Sequence, residues 1–166
     1  MDAARNVKRI LVMGVGNTLM QDDGVGIEVT RKLAARPGRH PSLHIVDGGT
    51  IGLALLPEIE DADAVIVVDA SELGASAGTL ETFHNEAIDT LLSGKRRTVH
   101  EVALLDLFAA AAISGRMPAR RTLVAIQPGN TEWGSGCTQP VEAAAERACA
   151  LIEQLAEDWT QCEVAA

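Results

Sequence analysis

An α/β fold, one domain built on a mainly parallel, twisted sheet with helices on both faces, is what the 166-residue sequence predicts. Three observations carry that expectation. Short aliphatic and β-branched runs alternate with helical patterns from end to end. The run Ala64–Val68 (AVIVV) is apolar on both faces, as the middle strand of a parallel sheet requires. No Pro/Gly/Ser linker, internal repeat or low-complexity tract divides the chain, so 1–166 is read as a single domain.

Arg9–Gly14 (RILVMG) is too short for a helix and is closed by glycine, so it reads as the first buried strand. Gly24–Ala35 places Val25, Ile27, Val29 and Leu33 near one helical face and is stopped by Pro37-Gly38. Leu43–Val46 is the second strand, followed by Asp47-Gly48-Gly49-Thr50 as a loop and Ile51–Ile59 as a short helix with Thr50 as its candidate N-cap. Ala64–Val68 ends at Asp69. Thr79–Phe83 is a strand, Asn85–Leu92 a short helix, and Lys95-Arg96-Arg97 a solvated basic loop. Glu101–Ile113 reads as a helix stopped by Ser114-Gly115 and Pro118, with His100 immediately before it. Arg121–Ile126 is a strand, Val141–Trp159 the closing helix, and Thr160–Ala166 a frayed end.

Composition excludes several functions. With 14 Lys plus Arg against 23 Asp plus Glu the net charge is −9, and the aromatic fraction is 2%. A clustered positive surface and stacking platforms for nucleic acid are therefore not expected. No stretch approaches the ~18–20 apolar residues that span a bilayer. The three cysteines, Cys137, Cys149 and Cys162, contain no C-x-x-C pair, which argues against a disulfide framework or cysteine zinc site and for a reducing, cytoplasmic setting.

In such sheets ligands bind beyond the carboxyl ends of the strands, near the switch in strand order. The positions there are Gly14-Val15-Gly16-Asn17 with Asp22-Asp23, then Asp47-Gly48-Gly49, then Asp69, joined by His100. Carboxylates with one imidazole have the composition of a site for Zn, Ni, Mn or Fe divalent ions. Each also has a plainer reading: Asp22 and Asp23 as helix caps, Asp69 as a turn cap, His100 as a surface or capping histidine, Gly48-Gly49 as a tight turn. Cys137 has no matched base nearby in sequence to make it a catalytic thiol. Gly14-x-Gly16 after a first strand has the outline of a dinucleotide fingerprint, but Leu19 stands where the third glycine belongs, and two carboxylates would face the pyrophosphate.

Taken together, Gly14-Val-Gly-Asn-Thr-Leu-Met-Gln-Asp-Asp-Gly-Val-Gly26, Asp47-Gly-Gly-Thr-Ile-Gly52, Val67-Val-Asp-Ala70 and His100 resemble the hydrogenase maturation endopeptidases, as do Gln127-Pro128, Trp133-Gly134 and Val141. These proteases remove a C-terminal extension from the large-subunit precursor of nickel-iron hydrogenases. The resemblance runs from about residue 9 to 155. It implies a twisted sheet flanked by helices and a metal-contacting trio on Asp23, Asp69 and His100. Some relatives carry Glu in place of Asp23. It also implies that the precursor supplies the nickel, so no permanent cofactor is expected, and that Asp47, Gly48, Gly49 and Thr50 shape the substrate cleft. No H-E-x-x-H zinc motif is present. A monomer is expected. Two other readings stand beside this one: a non-catalytic chaperone binding nickel or the precursor, and a peptidyl-tRNA hydrolase-like esterase, which the charge balance disfavours.

Overall fold

The computed structural model describes residues 7–49, 52–94 and 99–161. Five strands form one sheet in the order β2-β1-β3-β5-β4. They are β1 (Ile10–Val15), β2 (Leu43–Gly49), β3 (Ala64–Ala70), β4 (Leu80–His84) and β5 (Arg120–Ile126). The first, second, third and fifth run parallel, and β4 pairs antiparallel to β5 at one edge. Five α-helices accompany them: α1 (Val25–Ala35), α2 (Leu56–Glu60), α3 (Glu86–Leu92), α4 (Val99–Ile113) and α5 (Gln139–Gln161).

Side chains alternate across the sheet and build a separate core on each face. Ile10, Val12, Ile66, Val68, Val124 and Ile126 pack under α1 and α5. Leu11, Met13, Val65, Val67 and Leu123 pack under α2, α3 and α4 through Ile59, Ile88, Leu107 and Phe108. The central strand β3 is buried along its whole length, as its two-sided apolar run requires. On the first face, Ala144, Ala145 and Ala148 keep α5 thin where it crosses α1. Lys32 closes the rim of that crossing by pairing with Glu142 at 2.6 Å and Glu146 at 2.9 Å.

Helix α1 approaches the sheet closely because Gly26 has no side chain. A Cβ there would overlap the carbonyl oxygens of both Val15 and Val68. Backbone on both sides leaves no flexible atom to yield, so Gly26→Ala is expected to destabilise the fold by about 2–3 kcal/mol, readable as a lower urea midpoint.

A smaller effect is expected where α3 meets β5. Arg121 donates two hydrogen bonds to Asp89, at 2.8 and 3.0 Å, and they hold the Asp89 carboxyl below its ordinary value of 3.8. Because the folded value is depressed, the stabilisation is present above pH 3.8 and is lost as pH falls through the folded value. Asp89 is half exposed, so Asp89→Asn should cost no more than ~1 kcal/mol near neutrality and nothing in strong acid, measured by urea unfolding across pH.

Several boundaries differ from the sequence expectation. Strand β2 does not stop at Val46 but runs through Asp47-Gly48-Gly49, because Gly14 pairs with Asp47 and Val15 with Gly49 across a bulge. Asp69 lies inside β3, which continues to Ala70 alongside β5. Helix α1 begins at Val25, one residue later than expected, because Gln21–Gly24 form a 3-10 turn. Helix α4 begins at Val99, so His100 sits in its first turn instead of before it. Thr160 belongs to α5, where its hydroxyl donates to the Ala156 carbonyl, rather than to a frayed end. Thr50, Ile51, the Lys95-Arg96-Arg97 loop, Cys162 and the rest of the tail lie outside the described residues.

Candidate active site

Strand β1 lies between β2 and β3, and the chain leaves it towards the β2 edge but leaves β3 towards β5 and β4. That reversal is the switch point, and the candidate residues gather at its carboxyl side. Asp69 follows Val65 and Val67 at period two, so its side chain projects from the same face of β3, the face that α4 covers. Asp23 comes from the 3-10 turn after β1. His100 enters from the first turn of α4.

Structure brings these three together. His100 Nδ1 stands 3.8 Å from Asp69 Oδ1 and 3.9 Å from Asp23 Oδ1. The other Asp23 oxygen, Oδ2, accepts a 2.9 Å hydrogen bond from the Asn17 N–H, which fixes the carboxylate with Oδ1 turned to the histidine. Gly16 makes that approach possible: its φ is 136°, and a Cβ would overlap the Asp23 carbonyl.

Asp69 is the most constrained member. It is 3% exposed, and its buried Oδ1 has no hydrogen-bond partner. Burial pushes its carboxyl well above the ordinary range, and the charges of Asp23 and Glu101 push it further. A buried oxygen without a donor, beside a second carboxylate, is the arrangement that an incoming cation relieves. Among the described residues no group of three His, Cys, Asp or Glu is placed so that it could hold a metal ion. Ligands bound at ~2.1 Å to one ion lie about 3.0–3.4 Å apart, whereas His100 Nδ1 stands 3.8 and 3.9 Å from the two carboxylate oxygens.

Asp22, the neighbour of Asp23, does something sequence alone missed. It makes no helix-capping bond. Fully buried, it accepts hydrogen bonds from Gly129 N–H at 2.8 Å, Asn130 N–H at 2.9 Å, Thr138 N–H at 2.6 Å and the Thr138 hydroxyl at 2.8 Å. Burial by itself would raise its carboxyl, but the bonds from Thr138, Asn130 and Gly129 outweigh burial and hold it lower. Backbone bonds Gln21 N–H to Gly134 and Gly134 N–H to Leu19 lace the same two loops. Gln127 ties in a third, accepting from the Leu73 N–H at 2.7 Å. The residue spacing of 107 to 116 explains why no local pattern announces this latch.

The other candidates take plainer places. Asp47 is exposed, and its Oδ1 accepts the Gly49 N–H at 3.0 Å in an Asx turn at the end of β2. Gly48 lies against Met13 and the Gly14 carbonyl, where a Cβ would crowd both. Burial pushes the Cys137 thiol up to about 11, the reverse of thiolate activation.

Comparison with known proteins gives a consistent picture. A family model described as hydrogenase maturation protease matches residues 27–155. The chain is 35% identical over 136 residues to the hydrogenase expression/formation protein HupD of Rhodobacter capsulatus, covering 82% of this chain and 65%, just under two thirds, of that protein. It is 35% identical to the hydrogenase 2 maturation protease of Escherichia coli over 84% of this chain and 85% of that one. Among solved structures, the hydrogenase maturating endopeptidase HybD from E. coli superposes with a TM-score of 0.84 at 32% identity, covering 90% and 93% of the two chains. With a family model matching more than three quarters of its length, a relative matched over most of both chains and the fold in agreement, the chain belongs to the hydrogenase maturation protease family, a family of peptidases.

Proposed function

We propose that this protein is the endopeptidase that removes a C-terminal extension from a nickel-loaded hydrogenase large-subunit precursor. The observation that carries the reading is the meeting of Asp23 Oδ1, Asp69 Oδ1 and His100 Nδ1 around the unpartnered, buried oxygen of Asp69. Two anionic oxygens and one imidazole nitrogen suit a borderline divalent ion such as nickel.

The precursor brings that nickel as part of the substrate, and no permanent cofactor takes part. The donor spacing is wider than that of a closed site, and His100 and the two carboxylates draw together by roughly 0.4–0.9 Å when the cation arrives. Closure positions the scissile peptide beside the site. Hydrolysis then adds water across the bond. The water oxygen bonds to the carbonyl carbon, the C–N bond breaks, and the departing nitrogen takes up a proton. Asp47, Gly48 and Gly49 shape one wall of the cleft at the end of β2, with Asp47 holding the backbone turn. The protein works as a monomer in the cytoplasm, a setting favoured by three cysteines with no C-x-x-C pair.

Intact mass of the nickel-loaded precursor before and after incubation is the test. Loss of one discrete C-terminal peptide is expected. An unchanged mass with a stable complex would support the chaperone reading instead.

A further inference from the structure

Among the described residues, three buried side-chain atoms have no hydrogen-bond partner: Arg9 Nε, Asp69 Oδ1 and Ser71 Oγ. Two of them stand on one face of one strand. Ser71 lies just past the end of β3, yet its N–H donates to the Ile126 carbonyl at 3.0 Å, which carries the pairing of Asp69 with Ala125 and Ala70 with Ile126 one residue further. Side chains along that run keep their alternation. Ala70 packs in the core under α1 and α5, whereas Val67 and, beyond the strand, Leu73 pack in the core under α4. Ser71 falls between those two at period two, so its hydroxyl shares the face of Asp69.

Neighbouring side chains do not satisfy this hydroxyl. Ser71 is 3% exposed. Gln127, which follows Ile126 on the adjoining strand, is committed elsewhere: its Oε1 accepts the N–H groups of Leu73 and Ala75, and its Nε2 donates to Glu72 and to the Pro128 carbonyl. Asp69 is out of direct reach, since successive side chains on one face of a strand stand about 6.6 Å apart. One water joining two oxygens spans about 5.5 Å, and the lean of side chains along a strand covers the difference. Two buried polar groups so spaced are the partners that an ordered internal water takes.

We propose that Ser71 Oγ and Asp69 Oδ1 together hold one water molecule, and that this is the water which hydrolysis adds to the scissile peptide. The water's role in the reaction rests on the peptidase reading above. The trio is recessed, with the His100 and Asp69 side chains 12% and 4% exposed, so a seated substrate separates it from bulk water and the reacting water must already be inside. Each of the two oxygens accepts one hydrogen of the water, which leaves its lone pairs free to face the carbonyl carbon. As the new C–O bond forms, the C–N bond breaks. One hydrogen of the water ends on the departing nitrogen, and the other on the new carboxyl group, which releases it. Ser71 thereby positions the attacking water, a part distinct from the trio's hold on the cation.

Crystal structures of the wild-type protein and of Ser71→Ala, set beside the kinetics of both on nickel-loaded precursor, are the test. The wild-type protein should show water density within ~3 Å of both Ser71 Oγ and Asp69 Oδ1, and Ser71→Ala should lack it. Ser71→Ala should lower kcat about a hundredfold with KM within about twofold, and Ser71→Thr, which keeps the hydroxyl, should recover most of the loss. Wild-type density without such a water, or an unchanged kcat in Ser71→Ala, in preparations that shorten the precursor, would overturn the proposal while leaving the peptidase reading intact. A raised KM with kcat unchanged would assign Ser71 to substrate binding and also overturn it. Wild-type protein that shows the water but leaves the precursor mass unchanged would uphold the water site and defeat the peptidase reading, and with it the water's role in hydrolysis.

Discussion

Asp69→Asn is expected to abolish precursor processing, by about a thousandfold or more, in a protein more stable than the original. The loss follows from removing one of two anionic oxygens facing the cation: several kcal/mol of charge stabilisation, at 1.36 kcal/mol per tenfold, amount to about three orders of magnitude. The gain in stability follows from the same burial that makes Asp69 useful. Its Oδ1 has no partner, and desolvation with the charges of Asp23 and Glu101 raises its carboxyl. An acid whose folded value is raised withdraws stability as pH climbs above its ordinary value of 3.8. Asparagine removes the charge but keeps the shape, so the gain should be absent in strong acid and present at neutral pH. Thermal unfolding at pH 3 and pH 7, set beside the processing rate, checks both halves. A variant neither more stable nor less active would show that Asp69 is an ordinary structural residue.

Asp22→Ala is expected to have the largest effect on stability. Four donors from Gly129, Asn130 and Thr138 converge on this one buried carboxylate, and truncation leaves them without acceptors. Hydrogen bonds to a charged group contribute ~1.5–3 kcal/mol each, but they act as a set, so a total cost of about 3–5 kcal/mol is expected. For a chain of this length that lowers Tm by roughly 10 °C. Asp22→Asn should recover only part, since its amide presents hydrogens to donors. Processing should fall as well, because the segment 129–138 braces the loop that holds Asp23. Calorimetry of the two variants measures the first effect, and mass spectrometry of the precursor the second.

These two residues also mark how far the sequence could be read. Asp69 was legible because a two-sided apolar run names a central strand, and the first acid at its end falls at the place where α/β sheets bind ligands. His100 was expected just before a helix and stands in its first turn, because helix starts are set by backbone hydrogen bonds that local composition marks only to within a residue or two. Asp47-Gly48-Gly49 reads locally as a turn, yet pairing with Gly14-Val15 extends it into β2. Asp22 was the real omission. An acid before a helix has the pattern of a cap, and only the fold reveals that its partners stand more than a hundred residues away.

Single-turnover cleavage of matched nickel-loaded and nickel-free precursors, by the wild-type protein and by His100→Ala, tests the central claim most directly. The wild-type protein should shorten only the nickel-loaded form at a useful rate, and His100→Ala should treat both forms alike and slowly. Equal rates on the two precursors with the wild-type protein would contradict the claim that Asp23, Asp69 and His100 read the metal carried by the substrate.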